Sequence, residues 1–286
     1  RRKMPITDTL SRAVNYNNSA ASRLLDGENR VALELSLEAS IAIRDSIRTS
    51  STQTDLDEQR DPPDSAMLAE ESPCFFVLGD SSTANDFSLP AVGTLAVDSG
   101  LTHEKSPFRY QNKIFYFHSN PIFIKGDCLD QLSPKDLEEV MSFSILYNLG
   151  LCHHVLALAQ VRWRGRFDMQ GESCTASLRR AIACYEYAHD LLSSCQVLGE
   201  ADLIHSLLAI ANNLGHAHYY LQDEEKARVC FERIWSILMY VQTEDIVLTV
   251  HVSATEGTRL PLSLEGFLCN ASYHCITGSV LAAPAA

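Results

Sequence analysis

The sequence predicts an all-α chain of stacked, antiparallel helical hairpins interrupted by one small, partly β insertion. Three observations carry this expectation. Between Asp202 and Val241, apolar or small residues recur at Leu203, Leu207, Ala211, Leu214, His218 and Leu221 and then, past a polar break at Gln222 to Glu225, at Ala227, Phe231, Ile234, Leu238 and Val241. Steps of three and four are the period of one helix face, and so short a break folds the second helix back on the first. The same register returns in two other places. Between Cys74 and Leu132 the period shortens to that of strands.

Residues 1–48 read as an N-terminal hairpin, the degenerate copy, broken at Asp26-Gly27-Glu28-Asn29. Asn18 stands just before Ala20 as Asn213 stands before Gly215, and Ala32 follows at the offset of Ala227. The residues that then match Phe231, Ile234 and Leu238 are Ser36, Ala39 and Ile43. Residues 49–73 are polar, acidic and punctuated by proline, too poor in apolar groups to offset ordering entropy, and read as a disordered linker.

Residues 74–132 hold the β-prone runs CFFVL, TLAV, KIFYF and PIFI, expected to pack as a partly β insertion against the helices. The last two flank Ser119-Asn120 as a candidate hairpin, with Pro121 confining the second to an edge. Residues 133–242 hold two hairpins. The first opens on Ser133-Pro134-Lys135-Asp136, a serine N-cap followed by a first-turn proline and an acidic residue. Its first helix runs to about Gln160, the loop RWRGRFDMQGESCTA follows, and Ser177 to Ser193 presents Ala181, Tyr185, Ala188 and Leu192 in the repeating steps. The stretch from Asp202 is the second hairpin. Residues 243–262 read as a loop, and 263–286 as a capping helix, Leu264 to Thr277, with a short tail.

A net charge of −13 disfavours general binding to nucleic acid or an anionic membrane, since neutralising phosphates needs surplus Lys and Arg. The nine cysteines are scattered singly with no C-x-x-C pair, which points to neither a zinc site nor a disulfide framework and fits a reducing compartment. No run of consecutive apolar residues looks long enough to span a bilayer, and the start lacks the apolar core of a signal peptide. The expectation is an intracellular protein, cytoplasmic or nuclear, without cofactor or metal.

Four helices share an Asn placed two residues before a small residue, and three are followed by a helix with matching Ala, aromatic-or-small and small positions. The best copy carries Leu214, Gly215, Ala227 and Phe231, the next Leu149, Gly150, Ala181 and Tyr185, and the weakest Ala20 and Ala32. This spacing resembles the tetratricopeptide repeat family. The chain departs from it in having Ala211 where the family places a large aromatic, in lacking the closing proline, and in interrupting its copies. It is also similar to microalgal proteins built from such interrupted repeats, a likeness that implies no function.

The resemblance implies an α-solenoid, because one hairpin cannot bury its own apolar stripe and must stack on others, leaving a groove lined by the first helices. Family members hold peptides or proteins there. The residues set opposite the packing stripe are Tyr147, Asn148, Leu151 and His154 in one copy and Asn212, Asn213, His216 and Tyr219 in the other. Two roles are open for the asparagines: tying the backbones of neighbouring helices, or gripping an extended peptide. A clamp for a partner's terminal carboxylate is disfavoured, since no basic residue lies between Met141 and Gln160 or between Asp202 and Gln222. The expected partner is a protein or peptide, with no small-molecule substrate.

Two other function classes have a sequence basis. FFVLGDSSTAND resembles the nucleophile block of GDS-type esterases, which would make Ser81 the nucleophile and pair it with Asp202-x-x-His205, although no alternating strand–helix pattern supplies the sheet such enzymes use. Arg162, Arg164 and Arg166, beside Trp163, form the one basic cluster and offer charge and stacking to RNA or an acidic peptide. A solvated loop is the favoured reading of these residues. Cys152-His153-His154 and His216-x-His218 have the wrong spacing for a shared metal on one helix, and His153 and His218 fall on the packing stripe.

Overall fold

The computed structural model describes residues 6–57, 76–78, 117–124, 132–163, 172–195, 197–244, 246, 249–251, 259–261 and 264–272. Helices dominate these residues. In order they are α1 (Ile6–Leu25), α2 (Asn29–Asp57), α3 (Pro134–Trp163), α4 (Glu172–Ser194), α5 (Glu200–Tyr220), α6 (Glu224–Thr243) and the short α7 (265–272). Between them stand four three-residue strands, β1 (Phe76–Leu78), β2 (Ile122–Ile124), β3 (Thr249–His251) and β4 (Arg259–Pro261).

The repeating positions are the packing positions. In α2, Ala32, Ser36, Ala39 and Ile43 are buried, as are Ala181, Tyr185, Ala188 and Leu192 in α4 and Ala227, Phe231, Ile234, Leu238 and Val241 in α6. Each hairpin closes on this stripe, α1 on α2, α3 on α4 and α5 on α6, while α2 against α3 and α4 against α5 join the hairpins. The small residue keyed by each Asn makes room for an aromatic. A Cβ at Gly150 would stand 2.8 Å from the Tyr185 ring, and one at Gly215 would stand 2.9 Å from the Phe231 ring. In the first hairpin Ser36 replaces the aromatic, and Ala20 fits.

The two tips within the described residues are built alike. After α1, Gly27 takes φ 76°, the N–H of Glu28 donates to Arg23 O at 2.8 Å and the N–H of Gly27 to Leu24 O at 3.1 Å. After α5, Gln222 takes φ 62°, with Asp223 N–H to His218 O at 2.9 Å and Gln222 N–H to Tyr219 O at 3.0 Å. This pair of bonds around a left-handed residue terminates a helix by satisfying its last carbonyls. The start of α3 is the predicted cap: Asp136 N–H donates to Ser133 Oγ at 3.2 Å, and Ser133 Oγ–H donates to the Asp136 carboxylate at 2.7 Å.

Several boundaries differ from the sequence reading. Helix α2 continues to Asp57, so 49–57 is helical rather than linker, because no proline or glycine stands before Pro62 to stop propagation; residues 58–73 lie outside the described residues. Helices α3 and α4 both exceed their predicted ends, so 162–163 and 172–176 of the expected loop are helical; residues 164–171 lie outside the described residues. Cys174 explains the extra turn of α4: its side chain is buried, with Sγ 3.6 Å from Ala157 O on α3. The 243–262 connection is not wholly irregular, since β3 pairs antiparallel with β4.

In the insertion, β2 pairs antiparallel with β1, Val77 opposite Phe123, and Phe117, the one described residue of the KIFYF run, is not a strand residue. Residues 113–116 and the TLAV run lie outside the described residues. One helix, contrary to expectation, is long and apolar enough by length and composition to cross a membrane: Lys135–Gln160 of α3, of whose most apolar window 78% is buried inside the fold. Packing of α3 against α1, α2, α4 and β2 accounts for that apolarity.

Candidate functional site: an asparagine-lined channel

The asparagines that key the repeats converge on one extended stretch of the chain, 117–124. Asn148 on α3 accepts from Ile122 N–H at 2.8 Å and donates to Ile122 C=O at 2.7 Å. Asn18 on α1 repeats this at Ile124, accepting at 2.9 Å and donating at 2.8 Å. Asn213 on α5 repeats it at His118, accepting at 3.2 Å and donating at 2.9 Å. A carboxamide carries the donor and acceptor of a peptide group, so each asparagine pairs with one residue's main chain as a neighbouring strand would. Ile122 and Ile124, alternate residues of β2, share one edge of that strand. The other edge of β2 faces β1.

A second layer of polar groups fixes the clamps. Asn148 also donates to Asn17 Oδ1 at 2.9 Å, and Asn17 donates to Ile122 C=O at 3.1 Å. Asn270 on α7 donates to Asn212 Oδ1 at 2.8 Å, and Asn212 lies 3.4 Å from Asn213 Oδ1. The hydroxyls of Tyr147 and Tyr185 stand 3.5 and 3.4 Å from Asn213 Nδ2. Tyr185 leads to His154 Nδ1 at 3.4 Å, and His154 Nε2 meets His216 Nδ1 at 3.0 Å. Asn17, Asn148, Asn212, Asn213, Asn270, His154 and His216 are all buried, where an unpaired polar group costs more than a made bond returns.

Apolar side chains of the held stretch fill pockets between the helices. The Phe117 ring lies 4.5 Å from that of His154 and 5.3 Å from that of His216. His118 stacks on Phe267 of α7 at 5.5 Å and meets His205 edge-on at 5.3 Å. Ile122 joins the core of α3, α4 and α5, and Ile124 joins Leu10, Ala13, Val14, Met141 and Ile145.

The α3 and α5 walls of the channel carry no formal charge. No Asp, Glu, Lys or Arg occurs between Met141 and Gln160 or between Leu203 and Leu221. Burial holds the imidazoles of His118, His154, His205 and His216 uncharged, the last two pushed down to about 4 and about 3. Burial likewise pushes the thiols up, Cys152 to about 12 and Cys184 and Cys230 to about 11, and raises Tyr185. Among the described residues no three metal-ligating side chains gather.

Of the groove residues expected from sequence, Asn148 and Asn213 bond the main chain of the protein's own residues Ile122 and His118, which belong neither to a neighbouring helix nor to a separate peptide. Tyr147, His154, Asn212 and His216 support them from buried positions, Leu151 is core, and Tyr219 is half-buried at the margin, its ring edge-on to Tyr220 at 6.2 Å. An open surface is therefore not what these residues form. His153 and His218 are buried on the packing side, as their register implied. His205 lies beside His118, while Ser81 is outside the described residues. Arg162 falls on α3, not in a loop, and Arg164 and Arg166 are outside the described residues.

Sequence reasoning missed Asn17, Asn18 and Asn270 as site residues and the stretch 117–124 as an occupant. Asn18 and Asn270 could have been found, since both share the register of Asn148 and Asn213. Comparison with protein-family models, curated proteins and solved structures finds no match to this chain.

Proposed function

We propose that the chain is a non-catalytic protein-interaction scaffold, an α-solenoid of the tetratricopeptide kind, whose channel along α1, α3 and α5 holds an extended polypeptide by its main chain. One observation carries the reading: three carboxamides in equivalent repeat positions each pair with both the N–H and the C=O of one residue. Main-chain recognition of this kind is how extended peptides are bound in β-augmentation, with pockets for alternate side chains supplying selectivity. Neutral imidazoles and raised thiols support binding rather than acid–base or nucleophilic chemistry. The six cysteines among the described residues are free, which fits the reducing intracellular setting proposed for it.

The test uses the full chain with protease sites inserted within 79–116 and within 125–131, folded and then cut at both. The excised peptide should exchange with a fluorescent FHSNPIFI peptide in a saturable way, and Asn148→Ala with Asn213→Ala should weaken rebinding about tenfold or more. Absence of rebinding by cut chain that keeps its helical circular dichroism rejects the reading.

A further inference from the structure

We infer that the channel selects a neutral octapeptide pattern: an aromatic first residue, aliphatic sixth and eighth residues, and free main-chain N–H groups at the second, sixth and eighth. The inference rests on the peptide-holding reading above and names its ligand class. The side-chain half of the pattern comes from burial. Phe117, His118, Pro121, Ile122 and Ile124 are buried, and of these Phe117, Ile122 and Ile124 are the three large apolar side chains, whereas Ser119, Asn120 and Phe123 keep part of their surface. The walls around the buried three belong to α1, α3, α4 and α5, and the α3 and α5 stretches named above carry no charged residue to receive an ion from the ligand. A carboxylate or ammonium at the first, sixth or eighth place would be desolvated without a partner.

The main-chain half comes from the clamps. His118, Ile122 and Ile124 each give their N–H to an asparagine, so proline or an N-methyl group at those places removes a donor and sets a methyl against a carboxamide, buried for Asn213 and Asn148 and part-buried for Asn18. Proline at the fifth place is compatible, for Pro121 occupies it here. Acidic tails and arginine-rich segments would meet no opposite charge on the α3 and α5 walls.

The closing experiment applies the doubly cut full chain to a peptide series read by competition against fluorescent FHSNPIFI. N-methylation at the positions of Ile122 or Ile124, and Asp in place of Ile122, should each weaken binding about a hundredfold or more. Ala in place of Phe117 should cost a similar factor. N-methylation at the position of Asn120 and Ser119→Ala should change it less than about threefold. An acidic octapeptide should not compete. Rebinding of the parent peptide with equal tolerance of every substitution overturns the selectivity pattern while leaving the peptide-holding reading in place. Failure of the parent peptide itself removes both.

Discussion

Asn148 is the residue on which most of the channel's polar bonding depends. Truncating it orphans the N–H of Ile122 and the Oδ1 of Asn17, both buried, and leaves the Ile122 C=O with Asn17 as its remaining side-chain donor. An orphaned buried group costs about 1–3 kcal/mol, so Asn148→Ala should lower unfolding free energy by about 3 kcal/mol in urea titration, whereas Asn18→Ala, at a part-buried clamp on the buried Ile124, should cost less, about 2 kcal/mol. Equal effects would mean that the clamps are not differentiated by burial. The histidines set a pH window. His216 stays neutral in the fold down to about pH 3 and His205 to about pH 4, whereas in the unfolded chain both protonate near 6.5. Because their folded-state values are depressed, stability is full above pH 6.5 and falls as the pH drops from 6.5 toward 4 and 3, by about 2 kcal/mol per group at pH 5. The urea midpoint should therefore drop between pH 7 and pH 5 and be flat above 7, with a shallower drop in His216→Gln. A midpoint unchanged between pH 5 and 7 contradicts the assigned burial.

Each element reports how local sequence and packing share the work. The two tips described place Gly27 and Gln222 at the same left-handed position, and only glycine takes it without strain. Gln222→Gly should thus raise thermal stability by up to about 1 kcal/mol, while Gly27→Ala should lower it by about 1 kcal/mol, both read by calorimetry. The packing stripes of α2, α4 and α6 were legible because a second helix buries one face only, so its period shows in the sequence. Helices α3 and α5 hid their arrangement. Residues 208–218 of α5 are buried without a break, since α4, α6 and the held stretch cover it from several sides, and continuous burial leaves no period to separate core face from channel face. PIFI was legible as a strand, yet nothing in its own composition says that side-chain carboxamides, rather than another strand, satisfy one of its edges. That knowledge lies in Asn18 and Asn148, 106 and 26 residues away.

At the scale of the whole molecule, the held stretch and the channel belong to one chain, and this determines what an outside peptide meets. A segment joined covalently to its site competes intramolecularly, at an effective concentration commonly of order millimolar. For a free copy of FHSNPIFI, whose intrinsic affinity equals that of the tethered copy, the apparent dissociation constant becomes the intrinsic one plus that effective concentration. However tight the three clamps are, the intact chain should then bind the free peptide no better than about 1 mM, while the doubly cut chain reveals the intrinsic value. Fluorescence anisotropy on the two forms measures the difference directly. Submillimolar binding of FHSNPIFI by intact chain would show that residues 117–124 leave the channel open in solution. A partner that does displace them must surpass the tethered segment in the two things the channel reads, main-chain N–H and C=O groups on one edge and apolar side chains at the buried places, because the neutral walls offer it no charge with which to compete.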